Sequence, residues 1–399
     1  MKKNYVITLL FYTGISANAQ GVWTQKTNFA GAARGNAASF SIGTKGYIGT
    51  GYDGSFMKDF WEWDQVTDMW TQKADFGGIA RHTATGFSIG TKGYIGTGND
   101  GSVHYQDFWE WDGDIASPTY NTWIKKADFG GAGRSYAKGF SIGTKGYIGT
   151  GWNGSVHYQD FWEWDQATNT WTNKTNFGGT ARKQAVCFSI GNKGYIGVGH
   201  DGSSYKKDFW EWDQATNAWT QKLNFGGAAR NTSIGFSIGT KGYIGTGSGG
   251  GVLFQDFWEY DPATNQWTLK ANFGGTARAN IAGFSIGTKG YIGTGYDGSF
   301  MNDFWEYDPA GVTLISENVL ENIVSVFPNP FSSQTTLSLS KEVENALLRI
   351  YDLEGNEVKS INFSGKQIAI ERGNLSGGTY LYKIVSKNNT ISAGKIIVL

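Results

Sequence analysis

The sequence predicts an all-β protein in which a six-bladed β-propeller is followed by a small β-sandwich. First, the motif Gly-Tyr-Ile-Gly occurs six times at intervals of 47 to 53 residues, which is the period of a propeller blade built from short strands. Second, the chain has 59 glycines, 16% aromatic residues and only 5 prolines, as expected for short strands joined by glycine turns. Third, the repeats cease after Ala310 and short strands separated by Gly, Asn and Ser turns follow.

Residues 1–19 have the features of a secretory signal peptide. Lys2-Lys3 gives a positive start, residues 5–15 are mostly apolar, and Ala17-Asn18-Ala19 supplies the small residues of a cleavage site. The apolar stretch is too short to span a bilayer as a helix. We expect cleavage between Ala19 and Gln20. The alternative is that this segment forms a buried first strand or helix.

Residues 20–312 are predicted to form the propeller, with four strands in each repeat. In the fifth copy, Ile234 to Ile238 and Tyr243 to Gly247 form a hairpin, and Phe257 to Asp261 forms a third strand. Pro262 to Asn265 has turn chemistry, and Trp267 begins the fourth strand. Sheets stacked around an axis bury both faces against their neighbours, which explains the bulky residues at successive positions.

The ends of the repeat region predict how the ring closes. The sixth copy stops at Pro309 without a fourth strand, whereas an unpaired strand containing Trp23 precedes the first full copy. If residues 22–26 pair with the last blade, both exposed strand edges disappear. We therefore predict that the N-terminal strand completes the sixth blade.

Three features recur in the copies: an arginine before the first strand, the Tyr-Ile-Gly-x-Gly end of the second, and an Asp-Phe-Trp-Glu strand followed at a fixed distance by tryptophan. This pattern resembles the kelch repeat over residues 21–309. The double glycine of that family is replaced here by Gly-x-Gly, as at Gly49-Thr50-Gly51. The resemblance implies a kelch-type propeller, a class that includes galactose oxidase-like central domains.

Residues 323–399 are predicted to form the β-sandwich after a linker at residues 313–322. Pro328-Asn329-Pro330, Ile350 to Gly355, Leu375 to Tyr382 and Gly394-Lys395 resemble the type A sorting domain of the type IX secretion system. The resemblance implies that residues 323–399 contact the type IX secretion machinery. It also implies export across both membranes of a Bacteroidetes-type bacterium, followed by release or surface anchoring. The alternative is an accessory β-sandwich that binds substrate.

Charge and composition exclude several classes of partner. Lys+Arg and Asp+Glu both number 34, so the chain has no excess of positive charge with which to bind nucleic acid. Cys187 is the only cysteine, which excludes an intramolecular disulfide framework and a cysteine-cluster metal site. We expect a monomer with no nucleic-acid partner, no transmembrane segment and no cofactor.

The sequence contains none of the common catalytic motifs. It has no phosphate loop or His-Glu-x-x-His, and its repeated Gly-Phe-Ser-Ile-Gly segments, such as Gly235 to Gly239, coincide with the predicted first strand of a repeat and not with a nucleophile elbow. The two carboxylates of each Asp-Phe-Trp-Glu are expected on opposite faces of a strand. We therefore expect a protein that is not an enzyme. The alternatives are a kelch-type sugar-processing enzyme, resembling galactose oxidase or a sialic-acid epimerase, and a purely structural surface protein.

The functional prediction is a binding face at one mouth of the propeller channel. Each blade-to-blade connector carries an arginine, and the residue after each Gly-x-Gly varies between copies. Kelch proteins that bind peptides or glycans use similar positions, so the resemblance implies a non-catalytic module that recognises a glycan or peptide there. The alternative is that each arginine pairs with an aspartate of a neighbouring blade or a carbonyl and only holds the ring together. The candidate residues are Arg34, Arg81, Arg134, Arg182, Arg230, Arg278, Tyr52, Asn99, Trp152, His200 and Tyr296.

The two end segments generate a testable prediction about maturation. We expect the exported protein to begin near Gln20 and to lack the segment after about Glu321, because a signal peptide is removed during export and the resemblance to the type A sorting domain implies that this domain is removed as well. Mass spectrometry of the protein from culture medium or the cell surface measures both ends. Recovery of the full-length chain from the cytoplasm alone would contradict the prediction.

Overall fold

The structure is a computed structural model that describes residues 20–311, 324–352, 356–386 and 389–399. The chain divides into two compact units, Met1–Val312 and Thr313–Leu399, each with its own hydrophobic core. The predicted signal peptide and the predicted linker lie outside the described residues, so Gln20 is the first residue whose structure is described.

The first unit consists of six four-stranded antiparallel sheets arranged as the blades of a propeller, and the described residues contain no helix. The first strand is β1 (Val22–Lys26). Blade 1 comprises β2 (Ala38–Ile42), β3 (Lys45–Gly49), β4 (Phe60–Asp64) and β5 (Met69–Lys73). Blade 2 comprises β6 (Thr85–Ile89), β7 (Lys92–Gly96), β8 (Phe108–Asp112) and β9 (Trp123–Lys125). Blade 3 comprises β10 (Lys138–Ile142), β11 (Lys145–Gly149), β12 (Phe161–Asp165) and β13 (Thr170–Lys174).

The remaining blades follow the same order. Blade 4 comprises β14 (Val186–Ile190), β15 (Lys193–Gly197), β16 (Phe209–Asp213) and β17 (Ala218–Lys222). Blade 5 comprises β18 (Ile234–Ile238), β19 (Lys241–Gly245), β22 (Phe257–Asp261) and β23 (Gln266–Leu269), with a short hairpin of β20 (Ser248–Gly249) and β21 (Val252–Leu253) inserted in it. Blade 6 comprises β24 (Ala282–Ile286), β25 (Lys289–Gly293), β26 (Phe304–Asp308) and the N-terminal β1.

The N-terminal strand closes the ring, which confirms the prediction. Strand β1 pairs antiparallel with β26, with Trp23 opposite Tyr307. The Trp23 ring lies 4.9 to 5.1 Å from those of Phe257, Phe273 and Tyr307, and its indole N–H donates to the carbonyl of Ala271 at 3.1 Å. The chain start therefore supplies the outer strand that the last repeat lacks.

Backbone hydrogen bonds also join each blade to the next near the channel. The amide of Gly51 donates to the carbonyl of Arg81 in the next connector at 2.8 Å, and Gly295 makes the same bond to Arg34 across the closure at 2.7 Å. Gly51 has φ of +109°, and a Cβ on it would lie 3.1 Å from the carbonyl oxygen of Gly35. The second glycine of each Gly-x-Gly is therefore required by both its backbone conformation and the close approach of the connector.

The propeller core is a set of aromatic clusters between neighbouring blades. One cluster joins Trp63 and Trp70 of blade 1 to Phe284, Tyr291 and Phe304 of blade 6. In the same interface, a Cβ on Gly46 would lie 2.0 Å from the ring of Phe284. The first glycine of Gly-Tyr-Ile-Gly thus leaves space for an aromatic ring of the preceding blade.

The second unit is one five-stranded antiparallel sheet that folds over its own core. Its strands are β27 (Val324–Phe327), β28 (Gln334–Tyr351), β29 (Glu357–Glu371), β30 (Gly378–Ser386) and β31 (Asn389–Val398). The long strand β28 pairs with β27 through its first half and with β30 through its second half. Leu337 from the first half and Leu348 from the second belong to one buried cluster. This arrangement is the predicted small β-sandwich.

Removal of the closing strand tests the ring. We expect deletion of residues 20–27 to lower the free energy of unfolding by at least about 3 kcal/mol, the scale for losing one packed tryptophan, and to leave β26 as an exposed edge. Urea denaturation followed by tryptophan fluorescence measures the loss, with Gln25→Ala as a control because Gln25 is exposed. A truncated protein as stable as its parent would show that β1 does not hold the ring closed.

Candidate functional site

The six candidate arginines are buried in the blades and do not face the channel mouth, which corrects the predicted arginine ring. Each is at most 1% exposed. The guanidinium of Arg34 donates to both carboxylate oxygens of Asp59, at 2.5 and 2.7 Å, and to the carbonyl of Thr50 at 2.9 Å, and its carbon lies 4.9 Å from the ring centre of Phe29. The equivalent pairs are Arg81–Asp107, Arg134–Asp160, Arg182–Asp208, Arg230–Asp256 and Arg278–Asp303.

These pairs lie within a blade, and the arginine controls the state of its aspartate. Burial by itself raises the pKa of Asp59 and of Asp208, but the hydrogen bonds and positive charge of Arg34 and Arg182 outweigh it and lower both pKa values. The glutamate of the same motif has a different partner, since Glu62 accepts a hydrogen bond from the hydroxyl of Tyr47 at 2.8 Å. Arginine, aspartate and glutamate are thus all occupied in holding the blade together.

The variable residues lie beside the connectors, and most of them are packed against neighbouring side chains. The backbone of Tyr52 bridges to Gly35, and that of Trp152 bridges to Ser135. The Trp152 ring is covered by the ammonium of Lys183, 4.1 Å from the ring centre, and by the edge of His104. Asn99 is 8% exposed because its side chain bonds to the backbone of Val103 and Gly101.

The other members of the predicted face form local contacts of the same kind. Tyr52 packs on Phe56 and His82, and His200 packs on Tyr205. Tyr296 contacts Phe300 but remains 39% exposed, more than any other of the eleven candidates. The structure therefore brings the variable residues to one rim of the disc without assembling them into a shared pocket.

A cavity does exist on the propeller axis, inside that rim. Its outer part has an empty volume of about 400 Å³ and its inner part has an empty volume of about 500 Å³. Both volumes include space that is open to solvent. The two parts share Ala37, Ala84, Lys138, Ser233 and Ile281, so they are continuous along the axis. The outer part is lined by the residue two positions after each arginine, namely Asn36, Thr83, Tyr136, Gln184, Thr232 and Asn280.

These six axial residues form a strained ring joined by backbone hydrogen bonds. All six have φ between +52° and +60°, a left-handed conformation that is rare for residues other than glycine and costly for threonine. The amide of Thr83 donates to the carbonyl of Asn36 at 2.9 Å, and that of Asn280 donates to Thr232 at 3.1 Å. The arginine pairs and these inter-blade bonds hold the six side chains against the cavity.

The axial residues differ in whether their side chains have hydrogen-bond partners. Asn231 donates from its side chain to the side-chain oxygen of Gln184 at 2.8 Å, so Gln184 is already engaged. The side-chain amides of Asn36 and Asn280 are half-buried and have no hydrogen-bond partner in the described part of the chain. Two neighbouring amides are therefore available to a molecule in the cavity.

Three residues of the cavity lining are titratable. Burial lowers the pKa of the Lys138 ammonium and raises that of the Tyr136 hydroxyl, which a hydrogen bond with Gln184 lowers only in part. Burial raises the pKa of Cys187 to about 12, and its thiol donates to the carbonyl of Gly139 at 3.1 Å. Cys187 is thus neutral at pH 7, and the described cavity lining contains no Asp or Glu.

The sequence reasoning missed both the axial ring and Lys138. The signal was present in the comparison of copies, because the position of Lys138 is occupied in the other inner strands by Ala38, Thr85, Val186, Ile234 and Ala282. A single charged residue at a position that is otherwise small or apolar marks a difference between blades. The residues after Gly-x-Gly, by contrast, are not among those that line the cavity.

The described part of the chain has neither a cluster of metal ligands nor a membrane-spanning helix. Ranges 20–311, 324–352, 356–386 and 389–399 contain no group of three or more His, Cys, Asp and Glu side chains placed to hold a metal ion. Within the same ranges, no helix has the length and apolarity needed to cross a membrane.

The C-terminal unit belongs to a known class of domain. Residues 325–399 match the family model described as the secretion system C-terminal sorting domain. This match confirms the predicted sorting domain and the predicted export by type IX secretion to the cell surface or the extracellular space. It also implies an interaction between this domain and the secretion machinery.

A comparison with curated proteins gives a relative that is an enzyme. The chain is 38% identical over 86 residues to an endo-acting ulvan lyase of Formosa agariphila, a match that covers 21% of this chain and 16% of that protein. The chain thus spans about one sixth of the length of this relative. The prediction that the protein is not an enzyme is contradicted by this relationship, and we withdraw it.

A comparison with solved structures supports the fold. The structure titled "Structure of YjhT" matches 70% of this chain and 95% of its own length, with a TM-score of 0.60 and 15% sequence identity. At this identity the likeness shows the fold, and it agrees with the propeller predicted from the repeats.

The buried arginine–aspartate pairs can be tested by comparison with an exposed ion pair. We expect Arg182→Met to lower the free energy of unfolding by about 3–5 kcal/mol, because it leaves the Asp208 carboxylate half-buried and unpaired. The control is Lys58→Met, whose ion pair with Asp75 spans 3.9 Å between side chains that are 54% and 46% exposed, so its loss is expected to cost less than about 1 kcal/mol.

The same pair gives the sign of one pH effect. Stability contributed by Asp208 is present above its unfolded pKa, near 4, and is lost as pH falls through the lowered pKa of the folded state. Chemical denaturation between pH 7 and pH 2 measures it. Equal losses for Arg182→Met and Lys58→Met at pH 7 would contradict a special role for the buried pairs.

Proposed function

We propose that the protein is a secreted, carbohydrate-processing propeller of the kelch type, and that its substrate binds in the axial cavity. The observation that carries the proposal is the polar axial ring, in which the amides of Asn36 and Asn280 face the cavity without partners. An amide offers two donors and an acceptor, the combination that pairs with the hydroxyl groups of a sugar. The sorting domain and the relationship to an ulvan lyase support an extracellular role connected with carbohydrate.

The kelch assignment rests on the roles that the repeated residues have in the fold. The connector arginine pairs with the aspartate of the third strand, and the Gly-x-Gly approaches the next connector. These contacts explain why the two motifs recur together in all six copies, including the copy in which Val198 replaces threonine.

The cavity favours proton transfer over hydrolysis by two carboxylates. Glycoside hydrolysis commonly needs a pair of acidic side chains on either side of the bond, and the described lining has none. In an epimerase-like reaction by arginine and an acid, both groups would have to be free, whereas Arg34 and Asp59 bind each other. Tyr136 lines the cavity, and we propose it as the donor of a hydrogen bond or a proton to the substrate. Burial raises its pKa, so its hydroxyl is protonated at neutral pH.

The rim around the cavity is the second candidate site, for an extended glycan or a peptide. Tyr296 supports it because this ring is partly open to solvent next to Phe300. Trp152 supports it less, because Lys183 and His104 already cover the indole. We therefore propose the rim as an extension of the axial site.

A binding and turnover experiment tests the axial site. We expect a saccharide array on the mature protein to yield a ligand. Asn36→Ala combined with Asn280→Ala is expected to weaken its binding roughly 5- to 30-fold, as for the loss of hydrogen bonds worth about 1–2 kcal/mol in total. Tyr136→Phe is expected to abolish any turnover seen by NMR while leaving binding within a few-fold.

The matched control is Asn224→Ala, an exposed asparagine just after the outer strand of blade 4. It is expected to change neither binding nor turnover. Equal weakening by Asn224→Ala, or unchanged binding by the double variant, would remove the axial cavity from consideration and leave the rim.

A further inference from the structure

We infer that Lys138 binds an anionic substituent of the saccharide, so that the substrates of the axial cavity are acidic sugars carrying a carboxylate or a sulfate ester. Lys138 begins β10, the inner strand of blade 3, and lines both the outer and the inner part of the cavity. It therefore lies where the two parts of the cavity meet. This inference rests on the proposed function and names its substrate class.

The positive charge of Lys138 has no partner among the described residues. In the described part of the chain, the ammonium of Lys138 forms no ion pair and no hydrogen bond. The lysines that begin the second strand of each blade are all paired, as Lys193 is with Asp213 at 2.8 Å and Lys241 with Asp261 at 2.7 Å. Lys138 differs from them because the cavity around it offers no carboxylate.

The elements next to Lys138 contribute only uncharged groups to the cavity lining. The adjacent inner strands contribute Thr85 from blade 2 and Val186 and Cys187 from blade 4, and the axial ring contributes Tyr136. Cys187 and Tyr136 are the titratable ones, and burial raises the pKa of both, so both are neutral near pH 7. Nothing on the neighbouring elements of the lining supplies negative charge.

The missing partner has an energetic consequence. An unpaired cation with part of its hydration removed is unfavourable, and burial lowers the pKa of Lys138 for this reason. A ligand carboxylate or sulfate would supply the missing opposite charge and would hold the ammonium in its protonated form. The uncharged axial ring then contacts the hydroxyl groups of the sugar, while Lys138 selects its charged substituent.

The test compares matched charged and neutral sugars. We expect the mature protein to bind methyl glucuronide and a sulfated methyl glucoside at least about tenfold more tightly than methyl glucoside. Lys138→Met, which has an unbranched side chain of similar size without the charge, is expected to abolish this preference. Comparison of methyl glucuronide with the sulfated methyl glucoside shows which of the two anions binds more tightly.

The control for general electrostatics is Lys183→Met, which removes the same charge from the rim at Trp152. It is expected to retain the preference for charged sugars. A second readout is pH: binding of the charged sugars is expected to weaken as pH rises through the lowered pKa of Lys138, and Lys138→Met is expected to lose this dependence.

The outcomes separate this inference from the proposed function. If methyl glucoside binds but Lys138→Met keeps the preference for charged sugars, or if Lys183→Met removes it equally, the inference is overturned and the proposed function stands. If no sugar binds, the proposed function fails. In that case NMR of ¹³C-methylated lysines with inorganic sulfate tests Lys138 alone, since sulfate is expected to raise its pKa and an unchanged pKa would overturn the inference.

Discussion

The buried pair of connector arginine and third-strand aspartate is the interaction on which the propeller depends. In blade 1, Arg34 joins the connector to the end of β3 through Thr50 and to the start of β4 through Asp59. A cation that is 1% exposed requires an anion beside it, because an unpaired buried charge is strongly unfavourable. Repetition of this pair in six blades explains why the arginines and aspartates recur, and why neither is free to bind a ligand.

The same constraint creates the candidate site. Because each arginine is fixed, the residue two positions after it is held at the axial cavity, where it adopts a left-handed conformation and bonds to the neighbouring blade. The scaffold is six-fold repetitive, but the side chains that it presents are not. Asn36 and Asn280 are available, Gln184 is engaged, and Lys138 lines the same cavity as Tyr136. Function in such a ring arises from the positions at which nearly identical copies differ.

The sorting domain and the proposed site belong to separate units. The C-terminal unit has its own core and matches a sorting domain, so it accounts for the destination of the protein, whereas the residues named for the axial cavity belong to the first unit. The relationship to a lyase overturned the expectation of a non-enzyme, an expectation that relied on the absence of short linear motifs. A site assembled from one residue per blade leaves no such motif, since its members are about 48 residues apart in the sequence.

The sequence by itself determined the fold and the destination. The period of the repeats, the unpaired strand at Trp23 and the turn residues specify six blades and their closure, because each depends on local pattern and on pairing of strand edges. Only the tertiary structure decided the site. Whether Arg134 faces a ligand or Asp160, and whether Lys138 has a counter-ion, depends on which side chains of distant residues meet around the axis. Burial and charge pairing are properties of that three-dimensional arrangement, so the repeat pattern alone could not assign them.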